Sequence, residues 1–157
     1  MRILLLFFIL FVPKCYSQEE MILQFSKDLF NTQINPEALV EKYIVLDSLD
    51  SDLTISERRS AVIEHIKEIR LSRNKEQGWL MPQGDWISDK ATIMPYKKAS
   101  HLDTLKLNLV EKVQGRIFVI TDADQKEILQ YFLLDEQNKI LSFSLFVKGD
   151  LAWFFGY

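Results

Sequence analysis

Cysteine is nearly missing from this chain of 157 residues, with Cys15 the only one. That excludes an internal disulfide framework and cysteine-based zinc sites. Histidine is scarce too: His65 and His101 are the only two. The five glycines, at 78, 84, 115, 149 and 156, are scattered, so no glycine-rich loop exists to cradle a phosphate. No Asn-x-Ser/Thr acceptor occurs, and none of the serines sits in a Gly-x-Ser-x-Gly elbow. There is no basic stripe either, with 19 Lys+Arg against 22 Asp+Glu. Nucleic acid is therefore a poor partner, and an anionic membrane surface would attract the chain little. The apolar run at 3–12 spans ten residues, whereas a membrane-crossing helix needs roughly 20.

That run does fit an export signal. Arg2 and the amino terminus give a positive start, residues 3–12 the apolar centre, and Pro13 and Lys14 break it. Cys15 and Ser17 then supply small residues at −3 and −1 of a cut before Gln18. Pro13 and Lys14 occupy the place where a lipoprotein signal carries small residues, which argues against lipid on Cys15. The expected organisation is a signal peptide over 1–17 and one domain over 18–157. Cleavage removes Arg2, Lys14 and the only cysteine, leaving 17 basic against 22 acidic side chains, net −5. A disulfide-free domain of this size must hold together by apolar packing, and 48% hydrophobic residues suffice for a core. The expected location is secreted or periplasmic, in the cell envelope, with no stable membrane anchor after the cut.

Helical periodicity fills the first half. Met21, Ile22, Phe25, Leu29 and Phe30 share one stripe. Asn35-Pro36 is a start signal, with Asn35 as cap and Pro36 in the first turn, ahead of Leu39, Val40, Tyr43 and Ile44. Thr54 and Glu57 form a capping box for a helix over about 55–74, with Ile55, Val62, Ile66 and Ile69 on its apolar side. A Gly/Pro-punctuated loop carries Trp79 and Trp86, which form either a binding lip or a lid on the core. Strands are expected at 91–98, 104–113, 116–121, 127–134, 140–148 and 151–155, separated by turn-type stretches. Helices first and strands second give an α+β fold, with N-terminal helices packed on a curved antiparallel β-meander sheet. In element order and length, 18–157 resembles the nuclear-transport-factor-two-like, or cystatin-like, superfamily of α+β cones, whose members include enzymes, ligand binders and dimerisation modules. Here the three helices precede the strands, whereas that family inserts a helix between early strands.

No spacing gives a metal site. The acidic stretches starting at Asp47 and Asp122 lack the sixth-position glycine and twelfth-position glutamate of a calcium loop. No cofactor is expected. His101-x-Asp103, with Tyr96 nearby, is the pattern of a base oriented by a carboxylate, though a loop histidine has the same spacing. His65 reads as a helix-surface histidine.

Hairpin register then separates two faces of the meander. The five-residue turns 122–126 and 135–139 pair Thr121 with Glu127 and Leu134 with Ile140, and the two-residue turn at Gly149-Asp150 pairs Lys148 with Leu151. One face holds Ile117, Val119, Leu129, Tyr131, Leu133, Leu141, Phe143, Leu145, Val147 and Phe154, and is expected to lie under the helices. The other holds Arg116, Phe118, Gln130, Phe132, Ser142, Ser144, Phe146, Trp153 and Phe155. Aromatics mixed with a few polar groups suit a ligand pocket or partner surface. The expected function is a non-enzymatic binding protein for a small apolar or amphipathic ligand or a protein partner, with a homodimer as one possibility. The rival readings are a small enzyme using His101 and Asp103, and an inhibitor or immunity-type protein.

Overall fold

The computed structural model describes residues 17–46, 53–71, 91–107 and 116–154. Trp79, Trp86, Phe155, most of the signal segment and most of the strand expected at 104–113 lie outside the described residues.

The three N-terminal helices follow from their caps and stripes. Helix α1, Gln18–Phe30, starts on a capping box in which the Glu20 N–H donates to Ser17 Oγ (3.2 Å) and the Ser17 N–H donates back to the Glu20 carboxylate (3.2 Å). In α2, Pro36–Tyr43, Asn35 accepts the Glu37 N–H at 3.0 Å and Pro36 occupies the first turn. The predicted Thr54/Glu57 box opens α3, Ile55–Leu71, with the Thr54 N–H reaching Glu57 Oε2 at 2.8 Å. The buried side chains are those of the apolar stripes: Ile22, Phe25 and Leu29 from α1, Leu39, Val40 and Tyr43 from α2, and Val62, Ile66 and Ile69 from α3.

The strands differ more from expectation. The first, β1 (Thr92–Pro95), stops at its proline and continues into a helical turn α4 (Tyr96–Ala99) and a 3₁₀ turn (Ser100–Leu102), not on to 98. A two-residue strand β2 (Lys106–Leu107) follows, then β3 (Ile117–Thr121), β4 (Ile128–Leu134), β5 (Ile140–Ser142), β6 (Leu145–Lys148) and β7 (Leu151–Phe154). The expected single run 140–148 is two strands, because the chain changes sheet at Phe143-Ser144. One sheet is antiparallel in the order β1-β3-β4-β5, and the other runs β2-β7-β6 with β2 parallel to β7. The corner is internally satisfied: Gln130 Nε2 donates to the Phe143 carbonyl (2.5 Å) and the Ser142 hydroxyl to the Ser144 carbonyl (3.2 Å).

Two bulges bend the larger sheet. Ile120 pairs with Gln130 but Thr121 with Ile128, leaving Leu129 as the extra residue; Leu134 pairs with Ile140 but Leu133 with Ser142, leaving Leu141. The expected Thr121–Glu127 pairing is therefore one residue off at the turn and two residues off by Phe118, which faces Phe132 and not Gln130. A shift of two preserves which side chains share a face. The 2-residue turn pairings Phe146–Trp153 and Lys148–Leu151 stand as expected.

The assignment of those faces is reversed for most of β3 and β4, whereas Leu129 and Phe143 pack with the helices as expected. Phe118, Ile120, Phe132 and Leu134 pack with the helices, where Phe25 meets Phe132, Phe143 and Tyr43 at ring-centroid distances of 6.2, 5.1 and 5.4 Å. Val119 and Tyr131 pack instead with Ala99, Leu145 and Ala152, and Ile117, Leu133 and Leu141 with Val45, Tyr96 and Phe154. The larger sheet is thus covered on both sides, by helices on one and by the small sheet with the α4 turn on the other. Every residue of β3 is buried as a result. Among the described residues, no helix is long and apolar enough to cross a membrane.

Candidate binding cleft

The residues expected to form one binding face do not share one exposed surface. Phe118, Gln130, Phe132, Ser142 and Ser144 are buried in the interior. Arg116 is half-buried just before β3, where its carbonyl accepts the Leu134 N–H at 3.0 Å. Phe146 and Trp153 stand on the small sheet, their ring centroids 6.0 Å apart, with Phe146 56% exposed. Leu151 is exposed on the same face of the hairpin, and Val147 is exposed on the opposite one.

His65 is not a plain surface histidine. Its Nε2 lies 2.7 Å from Ser144 Oγ, and its ring sits over Phe143 with centroids 5.8 Å apart. Burial lowers its pKa below the usual 6.5, and nearby Glu68, 3.9 Å from Nδ1, offsets this only in part. Nε2 and the Ser144 hydroxyl share one hydrogen bond, in which either group donates according to the tautomer of the ring. Ser–His–Glu is the order of a nucleophile triad, but the serine is only 1% exposed. The contact ties α3 to the corner between the sheets.

Around His101 the expected dyad does not form. His101 is exposed in the 3₁₀ turn, and no hydrogen bond joins it to Asp103 among the described residues. Asp103 instead accepts from the Tyr96 hydroxyl on Oδ2 (2.6 Å) and from the Tyr131 hydroxyl (2.5 Å) and the Leu105 N–H (2.9 Å) on Oδ1. The carboxylate folds the 103–105 loop in an Asx-type turn and clamps it to β4. Burial, then the bond to Asp103, raises both tyrosines far above the ordinary phenol pKa of 10.0. Their protons are committed to the carboxylate.

Beside this clamp lies a cleft of about 250 Å³, lined by Leu102, Thr104, Leu105, Glu127, Ile128, Leu129 and Tyr131. The 3₁₀ turn and its following loop form one wall, and the start of β4 with its bulge forms the other. The walls are mostly apolar, and Thr104 and Glu127 supply polar side chains. Sequence reasoning missed this place because its residues come from segments that no local spacing links: the loop after a 3₁₀ turn and a bulged strand start about 25 residues on. Asp103 and Tyr96 were visible as a cluster, but with the wrong partner. Among the described residues, no group of three or more His, Cys, Asp or Glu side chains is placed to hold a metal ion.

No protein-family model matches the chain, and neither a curated protein nor a solved structure matches it.

Proposed function

We propose that this is an exported, non-enzymatic binding protein of the cell envelope that takes a small amphipathic ligand in the cleft between the 102–105 loop and β4. The observation that carries the reading is the cleft itself, where apolar walls converge with a few oriented polar groups on a braced loop. The export signal read at 1–17 supports the location, and the order of helices and strands supports placing the domain beside the nuclear-transport-factor-two-like cones. Ligand-observed NMR with a panel of short alcohols, amines and acids tests the function. Wild-type protein is expected to give saturation transfer to part of the panel, and Ile128→Trp, which fills the cleft, is expected to abolish it without unfolding the domain. Transfer that survives in Ile128→Trp places binding elsewhere.

A second reading has its own observation. One face of the β6–β7 hairpin shows Phe146 and Leu151 to solvent, with Trp153 against Phe146. Clustered apolar side chains of this kind suit a protein partner or a second copy of the chain. Sedimentation of wild type and Phe146→Ser distinguishes this, since a homodimer through the hairpin becomes monomeric in the variant.

A further inference from the structure

The polar points of the cleft are almost all hydrogen-bond acceptors. Tyr131, one of the lining residues, donates its hydroxyl proton to Asp103, so that group has no proton left to give a ligand. Glu127, on the exposed rim, offers a carboxylate. Thr104 can accept as readily as donate. Nor is the negative charge compensated. The partners of Asp103 are two neutral hydroxyls and an amide, and Lys126, the nearest basic residue in sequence to Glu127, turns to Asp124 at 2.8 Å. Among the described residues, no lysine or arginine pairs with Asp103 or Glu127. An anion entering this cleft would meet like charge and few donors. A cation with N–H groups would meet acceptors at one end and Leu102, Leu105 and Ile128 along its length.

Resting on the reading of the cleft as the binding site, we propose that its ligand is a small organic cation, a short alkyl or aryl ammonium compound. The size fits. A cleft of about 250 Å³ holds roughly eight waters' share of volume, the bulk of a ligand with a six-carbon chain and one ammonium group. The 103–105 loop is held by three bonds to one carboxylate, so one wall is formed before the ligand arrives.

Three probes of equal length and different charge test this: n-hexylammonium, 1-hexanol and hexanoate, titrated by calorimetry into the full-length protein at pH 7 and low ionic strength. The expected order is hexylammonium first, with about fivefold tighter binding than hexanol, as one partly exposed ion pair supplies, and hexanoate weakest. Glu127→Gln is expected to bring hexylammonium down to hexanol. Glu127→Lys is expected to put hexanoate first. Glu127 lies on an exposed turn and its side chain is not a hydrogen-bond partner of that turn, so both variants should keep the wild-type melt. Equal binding of the three probes by wild type overturns the cation inference and leaves the cleft standing as a ligand site. If none of the three binds while alcohols or acids of other shapes do so in the NMR panel, the cation inference falls alone. If nothing in the panel binds, both readings fall.

Discussion

Arg70 shows how far one side chain reaches in this domain. From the last turn of α3 its guanidinium donates to four carbonyls around the end of α1: Leu29 (2.6 Å), Ile34 (2.9 Å), Asp28 (3.3 Å) and Asn31 (3.3 Å). The Asp28 and Asn31 carbonyls also accept the backbone N–H groups of Asn31 and Ile34, so the guanidinium adds a second donor to the turn that ends α1. A cation there also complements the helix dipole. Nearby, the Asp28 carboxylate takes hydrogen bonds from Tyr43 (2.6 Å), Gln24 (2.7 Å) and Lys42 (3.1 Å). Burial alone would raise the pKa of Asp28, but these bonds outweigh it and hold the carboxyl below 3.8, while burial and the same contact push the Tyr43 phenol up to about 12. The α1–α2–α3 junction is therefore polar around an apolar centre. Arg70→Ala is expected to cost about 1.5–3 kcal/mol, the range for hydrogen bonds to a charged group. Arg70→Lys is expected to recover less than half of that, because a single ammonium cannot span four separated carbonyls. Urea unfolding of the three proteins makes the comparison, and a lysine variant as stable as wild type would show that charge alone is what matters.

Elements divide by how local their causes are. The three helices were legible because each is signalled by a stripe within a few residues, and the second and third also by a cap, Asn35 with Pro36 and Thr54 with Glu57. The Ser17 and Glu20 box of the first was hidden, because Ser17 reads as the last residue of the export signal. The hairpin turns were legible for the same reason, down to Gly149, whose φ of 65° is conformational space that glycine enters freely. Side-chain alternation also separated the two faces of β3 and β4, except at Leu129, which the bulge turns to the helix side. What alternation cannot give is which face the helices cover, because residues such as Ile117, Phe118, Val119 and Ile120 are apolar on both sides. That ambiguity belongs to a sheet covered twice. The bulges at Leu129 and Leu141 and the corner at Phe143-Ser144 were hidden as well, since each depends on a distant partner such as Gln130 or His65. The reversal has a measurable consequence. Phe132, once expected to face a ligand, should behave as core, with Phe132→Ala costing about 3–5 kcal/mol. Phe146→Ala, on the exposed hairpin, should stay within about 0.5 kcal/mol of wild type. Chemical denaturation of both variants is decisive, and similar costs for the two would contradict the layering.

At the scale of the whole molecule, polar contacts join the three layers, and one of them rests on an imidazole whose pKa burial lowers. His65 is the link between α3 in the helical layer and Ser144 at the corner where the chain leaves one sheet for the other. Its pKa in the folded protein is lowered, chiefly by burial, from the 6.5 of a free imidazole. The unfolded chain therefore binds a proton in a range of pH where the folded protein refuses it, and stability rises with pH wherever the unfolded state holds more protons. The contribution of His65 is present in full above the unfolded pKa and is lost as the pH falls below about 6.5 toward the folded value. One proton sets a ceiling on the slope of about 1.4 kcal/mol per pH unit. Protonation also restricts the Ser144 contact, since an imidazolium Nε2–H can only donate and the hydroxyl must then accept. Glu68 works in the opposite direction by favouring the charged ring, so Glu68→Gln should steepen the loss by taking away the carboxylate that steadies the imidazolium. His65→Gln keeps a polar group in reach of Ser144 but does not titrate. Unfolding free energies measured between pH 5 and 8 are expected to fall below pH 6.5 in wild type, more steeply in Glu68→Gln, and to lose that component in His65→Gln. Subtracting the His65→Gln curve from the wild-type curve isolates the histidine from the carboxylates that titrate lower. A flat difference from pH 5 to 8 would mean that His65 is as easily protonated in the folded protein as in the unfolded chain, and that the junction of the layers is open to water.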